Sequence, residues 1–160
     1  MSTTQHSTRL YASSDNSIDT EEKDYLFIRP SQIPQSGKGL FTAIPIYKDE
    51  IICVFRGEIL SKEESKIRSA NNATGYFIKM IDGSIMDSIN TDCYAKYAND
   101  AEGLSFNKFK NNAFISLNEN DQVCIIANKN IASGKEIFCA YGKKYWKNFK
   151  KMNALLKNKN

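Results

Sequence analysis

The chain has 160 residues, of which 41% are hydrophobic and 25% charged, and its formal net charge is +4, the make-up of one soluble globular domain with a real core. No apolar run approaches the roughly 18 residues of a membrane span, so no membrane partner is expected. The first twenty residues hold nine Ser or Thr and no apolar segment, so no secretory leader is expected either.

Met1 to about Lys23 is rich in Ser, Thr, Asp and Glu and poor in apolar residues, which predicts a disordered tail over 1–23. Tyr25-Leu26-Phe27-Ile28-Arg29 reads as a first strand, ended by Pro30. Gly37-Lys38-Gly39-Leu40-Phe41 is a glycine turn feeding a second strand. Glu50 to Phe55 is a strongly apolar strand, and Gly57 permits a break before Glu58-Ile59-Leu60. Ser61 with Glu64 carries the signature of a capping box and predicts a short helix to about Ala70.

Tyr76 to Ile81, the pair Asp82-Gly83 and then Ser84-Ile85-Met86 predict a hairpin. Residues 88 to 112 are polar and irregular. Ala113 to Leu117 and Val123 to Ala127 read as two further strands, and Ser133-Gly134 turns the chain into a last one, Glu136 to Ala140, which runs into Tyr141-Gly142. Short strands separated by turns predict a mainly β fold. A terminal helix is expected from about Lys143, with Tyr145, Trp146, Phe149, Met152, Leu155 and Leu156 recurring on one stripe.

Every charged residue after Glu136 is a lysine: Lys143, Lys144, Lys147, Lys150, Lys151, Lys157 and Lys159. That block is either a weak contact for nucleic acid or an acidic protein face, or a solvated helix surface. Cys53, Cys93, Cys124 and Cys139 lie far apart with no C-x-x-C pair, and His6 is the single histidine. This argues against a structural metal site and for buried thiols in a reducing compartment. With that histidine in the tail, the sequence argues against a His-based nucleophile relay as well.

What remains is a set of polar residues in apolar company: Asn99-Asp100 after Ala95-Lys96-Tyr97-Ala98, Asn111-Asn112 before a strand, and Tyr141-Gly142 after one. Each alone reads equally as turn chemistry, and Tyr141 alone as a core tyrosine. Their order and spacing carry more. Gly37-Lys38-Gly39-Leu40-Phe41, Phe55-Arg56-Gly57-Glu58, Tyr97-Ala98-Asn99-Asp100 with Asn112, and Glu136-Ile137-Phe138-Cys139-Ala140-Tyr141-Gly142 together resemble, in order, the motifs of the SET domain of S-adenosylmethionine-dependent protein lysine methyltransferases. The match runs from about Gly37 to Trp146.

The resemblance implies a SET-domain, β-clip-like fold of several small sheets, with a pseudoknot-like crossing, one short inserted helix and a C-terminal helix. The domain would span 24–146, and a basic amphipathic helix, 147–160, would pack on it. The cofactor implied is S-adenosyl-L-methionine, held by Lys38, Gly39, Leu40, Asn99, Asp100, Tyr141 and Trp146. Tyr141 would be the catalytic positioning residue, and Tyr76, Tyr97, Phe138 and Cys139 would line the channel for the substrate lysine.

Two departures stand out. Asp100 replaces the family's histidine, and the cysteine-rich zinc segment after Tyr141 is missing, so Trp146, the terminal helix or a homodimer partner would have to complete the site. The implied substrate is a basic protein or peptide, a histone tail first, which places the protein in the nucleus or on chromatin. An acidic run, Asp82, Asp87, Asp92, Asp100 and Glu102, is either an attractant for such a tail or a solvated loop region. The alternatives are a catalytically inactive SET-like module that binds a partner or peptide, and a small nucleic-acid-binding protein.

Overall fold

The computed structural model describes residues 16–73, 75–80, 82–103 and 107–140. The chain enters along the back of a strand: Ser17 bridges Ile51, and Ile18 is buried. A 3-10 turn, Glu22–Asp24, then leads into β1 (Leu26–Pro30) and β2 (Lys38–Thr42), which pair antiparallel from Leu26↔Thr42 to Pro30↔Lys38. The Glu22 carboxylate accepts from the Val54 amide at 3.0 Å and from the Arg56 guanidinium at 3.0 Å. From Ser17 on, the chain makes contacts with the domain that a tail over 1–23 does not include. Composition missed them because one apolar residue, Ile18, and one well-placed carboxylate do the anchoring.

Next come β3 (Ile51–Val54), β4 (Glu58–Leu60) and the helix α1 (Lys62–Ala70). Gly57, before β4, lies against the Asp87 main chain, and a Cβ there would collide with the Asp87 carbonyl. Ser61 caps α1 by accepting from the Glu64 amide at 3.0 Å. The box is only half formed, because the Glu64 carboxylate takes the Arg68 Nε–H at 2.9 Å, one turn on. No residue of α1 is buried. Arg68 moors the helix instead, donating to Glu58 at 3.1 Å and to the buried Asp87 at 2.8 Å. Those hydrogen bonds, Glu58's foremost, hold its guanidinium well above the usual pKa.

The hairpin forms as β5 (Phe77–Lys79) and β6 (Ile85–Asp87), in register Lys79↔Ile85. Gly83 takes φ +87°, which the turn requires, and Asp82 accepts from the Ser84 amide at 2.9 Å. After a 3-10 turn, Ala95–Tyr97, follow β7 (Ala113–Leu117), β8 (Val123–Ala127), β9 (Glu136–Ile137) and β10 (Cys139–Ala140). Three small sheets result, in the orders β1-β2-β9, β10-β7-β8-β3 and β4-β6-β5. Pairing is antiparallel except between β10 and β7, which run parallel. The main core is built on Leu40, Ile46, Ile52, Ile125, Ile137 and Cys139, all fully buried, and a smaller cluster holds Ile33, Ala101 and Phe138. All four cysteines are buried free thiols.

Candidate active site

The site grows out of the way Phe138 and Cys139 are held. On one side Asn99 bridges Phe138 in parallel, and its carbonyl accepts from the Cys139 amide at 2.8 Å. On the other, the Asn112 and Ala113 amides donate to the Phe138 carbonyl at 2.9 and 3.0 Å. Asn99 and Asn112 are the two ends of one loop, so the closing segment passes between the ends of a loop that the chain made earlier. The Asn112 side chain seals the crossing by imitating a strand. Its amide donates to the Glu136 carbonyl at 3.0 Å and its oxygen accepts from the Phe138 amide at 2.9 Å. Asparagine serves here because it carries a donor and an acceptor side by side.

Asn99 reaches further. Its Nδ2 donates to the Lys38 carbonyl at 3.0 Å, which ties the crossing to the start of β2. Three sequence-predicted segments thus meet within hydrogen-bond distance: Lys38, Asn99 and Cys139. Lys38 itself is exposed and Asn99 half-buried. Leu40 stands inside the sheet between Ile28 and Ile137, its side chain fully buried.

Gly39 has a separate reason to be glycine. The buried Glu136 carboxylate lies where a Cβ would sit, 2.5 Å from its ideal position. From there it accepts from the Ser31 hydroxyl and the Gln32 amide, both at 2.7 Å. These two bonds fix the loop between β1 and β2 beside Lys38. Sequence reasoning quoted Glu136 as part of a motif but did not find this role, because Ser31 and Gln32 carry no signal of their own.

Asp100 turns inward to its own loop. Its Oδ1 accepts from the Glu102 amide at 2.9 Å and from the Asn111 side chain at 2.8 Å. The Asn111 side-chain oxygen also accepts from the Ala101 amide at 2.8 Å, and its main-chain amide donates to the Glu102 carboxylate at 2.8 Å. The Asp100 carboxylate is thus part of the loop's internal bracing.

The four expected channel residues fall into three places. Phe138 is buried with Ile33, Ala101 and Phe109, its ring 5.2 Å from that of Phe109. Cys139, next in the strand, points to the opposite side and is fully buried in the main core. Burial pushes its thiol well above the usual pKa, with further contributions from the nearby Asp100 and Cys124. Tyr76 and Tyr97 come together around Lys96, whose ammonium is 5.9 and 5.3 Å from their ring centroids. Lys96 had no signal in the sequence beyond its place before Tyr97. Tyr141 and Trp146, and with them the terminal lysines, lie outside the described residues.

A cavity of about 660 Å³ is lined chiefly by the entering segment, β3, residues 92–94 and Tyr97. Of the expected site residues among those described, it touches only Tyr97.

The sequence profile of the SET domain matches residues 37–142. The chain belongs to the SET-domain family. No curated protein sequence matches it. Among solved structures, it resembles a humanized mutant of the Chaetomium thermophilum Polycomb Repressive Complex 2 bound to the inhibitor GSK126, at 23% identity and TM-score 0.61 over 73% of this chain. It also resembles an active polycomb repressive complex 2 in the basal state, at 23% identity and TM-score 0.61 over 74% of this chain. The match spans about 15% of each of those chains. At that identity the likeness carries the fold alone, and the small sheets and single inserted helix described above are that fold.

The family generally transfers methyl groups to protein lysines from S-adenosylmethionine. Of the residues expected to hold such a cofactor, Lys38 is exposed, Asn99 and Asp100 are half-buried, and Gly39 and Leu40 are buried.

Proposed function

We propose that the protein is an S-adenosylmethionine-dependent protein-lysine N-methyltransferase that acts on a basic protein tail, a histone tail first, in a nuclear or chromatin setting. The observation that carries this reading is the meeting of Lys38, Asn99 and Cys139 through 3.0 and 2.8 Å hydrogen bonds, two residues ahead of Tyr141. The cofactor supplies a methyl group on a sulfonium, already activated for displacement. The Lys38 ammonium would pair with its carboxylate. Asn99 would hold the Lys38 carbonyl in place beside it, and Trp146 would stack on the adenine.

Transfer needs a neutral amine, whereas free lysine has a pKa of about 10.4. A dry aromatic channel favours the neutral form, because burial disfavours charge. Holding amine and methyl in line supplies effective concentration, the largest contribution expected. The Tyr141 hydroxyl would orient the pair.

The inactive-module reading is favoured by one observation, the inward turn of Asp100, which leaves its carboxylate bracing the loop. The deciding experiment is transfer of radiolabelled methyl from S-adenosylmethionine to core histones, with products located by fragment mass. Wild type is expected to label histone lysine, and Tyr141→Phe to lose most transfer at an unchanged melting temperature. Cofactor binding without transfer to any histone or basic peptide would leave the inactive module standing.

A further inference from the structure

We propose that Lys96 is a positioning residue that fixes the two tyrosines of the lysine channel; the inference rests on the methyltransferase reading for what those tyrosines do. Its ammonium donates to the main-chain carbonyls of Thr91 at 2.9 Å, Ser88 at 3.2 Å and Ile89 at 3.5 Å. An ammonium has three donors and no acceptor, so the three carbonyls take all of them. The rings of Tyr76 and Tyr97 lie at 5.9 and 5.3 Å, within the reach of a cation–π contact. Among the described residues no carboxylate pairs with Lys96; its partners are main-chain oxygens and ring faces.

Three pieces of chain meet at this one group. Lys96 and Tyr97 belong to the 3-10 turn that delivers Asn99 to the crossing. Residues 88–91 form the turn after β6, closed by the Thr91 amide on the Ser88 carbonyl at 3.1 Å. Tyr76 stands just before β5, its carbonyl accepting from the Ser88 amide at 3.3 Å. Packing alone does not hold the Tyr76 ring, because the residue is 39% exposed. The main-chain bond to Ser88 fixes its backbone and leaves the side chain free to swing. A cation anchored on three carbonyls supplies the missing restraint, and it ties that ring to the segment that carries Asn99.

A surface lysine bound to nothing would be replaceable by any residue. A caged one is not. Methionine keeps the length of the stem and removes the charge and donors, whereas arginine keeps both. In Lys96→Met we expect turnover on a peptide substrate to fall about 10- to 100-fold, since misplacing a positioning group by about 1 Å has effects of that size. The KM for S-adenosylmethionine should stay unchanged, because among the described residues the partners of Lys96 are Ser88, Ile89, Thr91, Tyr76 and Tyr97, none of them assigned to the cofactor. Lys96→Arg should keep turnover within a few-fold.

The second readout needs no activity. In the full chain labelled with ring-carbon-13 tyrosine, the Tyr76 and Tyr97 signals, assigned with Tyr76→Phe and Tyr97→Phe, should shift or broaden in Lys96→Met and return in Lys96→Arg. Should Lys96→Met fail to fold, Lys96→Gln, which keeps a donor, takes its place. Unmoved tyrosine signals and wild-type turnover in the Met variant would overturn the proposal, as would equal loss in Met and Arg. If wild type transfers no methyl, the methyltransferase reading falls. The tyrosine spectra then decide Lys96 alone: moved and rescued signals keep its ring-holding role, and unmoved ones remove it.

Discussion

The Glu136 carboxylate reaches Ser31 and Gln32 only because residue 39 has no side chain. In Gly39→Ala the new Cβ would lie 2.5 Å from Glu136 Oε2 and 3.2 Å from the Ser31 Cα, so the carboxylate or the loop must move. We expect a loss of about 1–3 kcal/mol, the range for overpacking a filled site, read as a lower urea midpoint; an unchanged midpoint would show that the loop gives way freely. Cys139 raises a different question, one of product. By the SET resemblance it would stand where the family switches between Phe and Tyr, and we propose that a smaller, weakly donating side chain there leaves more room for a methylated amine. The alternative is that Phe138 or Tyr76 would fill that room; Phe138 packs on Phe109 on the other face and the Tyr76 ring lies by Lys96. The wild type is expected to go beyond monomethyl-lysine, and Cys139→Tyr to shift products toward it, in a time course resolved by mass. Cys139→Phe separates volume from hydrogen bonding: it brings the bulk without the hydroxyl. Monomethyl-lysine alone from wild type at long times, with cofactor in excess, would sink the idea.

Among the elements, the two that composition describes least well are the entering segment and α1. Both are amphipathic only weakly, and both are held by a few polar contacts to buried or half-buried partners. The entering segment brings the Ser17–Ile51 bridge, buried Ile18 and the Glu22 bond to the Val54 amide. The Glu22–Arg56 pair adds little to this, because the Arg56 side chain is 55% exposed. Burial of one isoleucine and one main-chain hydrogen bond come to about 3 kcal/mol. A chain beginning at Tyr25 should therefore melt about 6–12 °C lower than the full chain in a calorimetric scan. Equal melting temperatures would return residues 17–23 to the tail that composition suggests.

At the scale of the molecule, the sequence shows strands, helix and turns in their places, because alternation, the Ser61 cap and the Asp82-Gly83 turn act locally. It also shows that Asn99, Asn112 and Glu136 are unusual. What they do is not legible, since it depends on contacts between residues far apart in the chain: Asn99 on Lys38, Asn112 on Phe138, Glu136 on Ser31. The knot-like crossing is the extreme case. Its closing segment can be seated only after β7 and the loop ending at Asn112 exist, so those contacts come late in folding. Asn112→Ala tests this. It removes both side-chain bonds and leaves the Glu136 carbonyl and the Phe138 amide without their partner, a loss of about 2–4 kcal/mol. If the crossing forms after the main barrier, that loss should be found almost wholly in faster unfolding, with the folding arm of the chevron unmoved. A folding arm that drops in step with stability would place the crossing in the nucleus instead, and the chain would then have to thread before its sheets assemble.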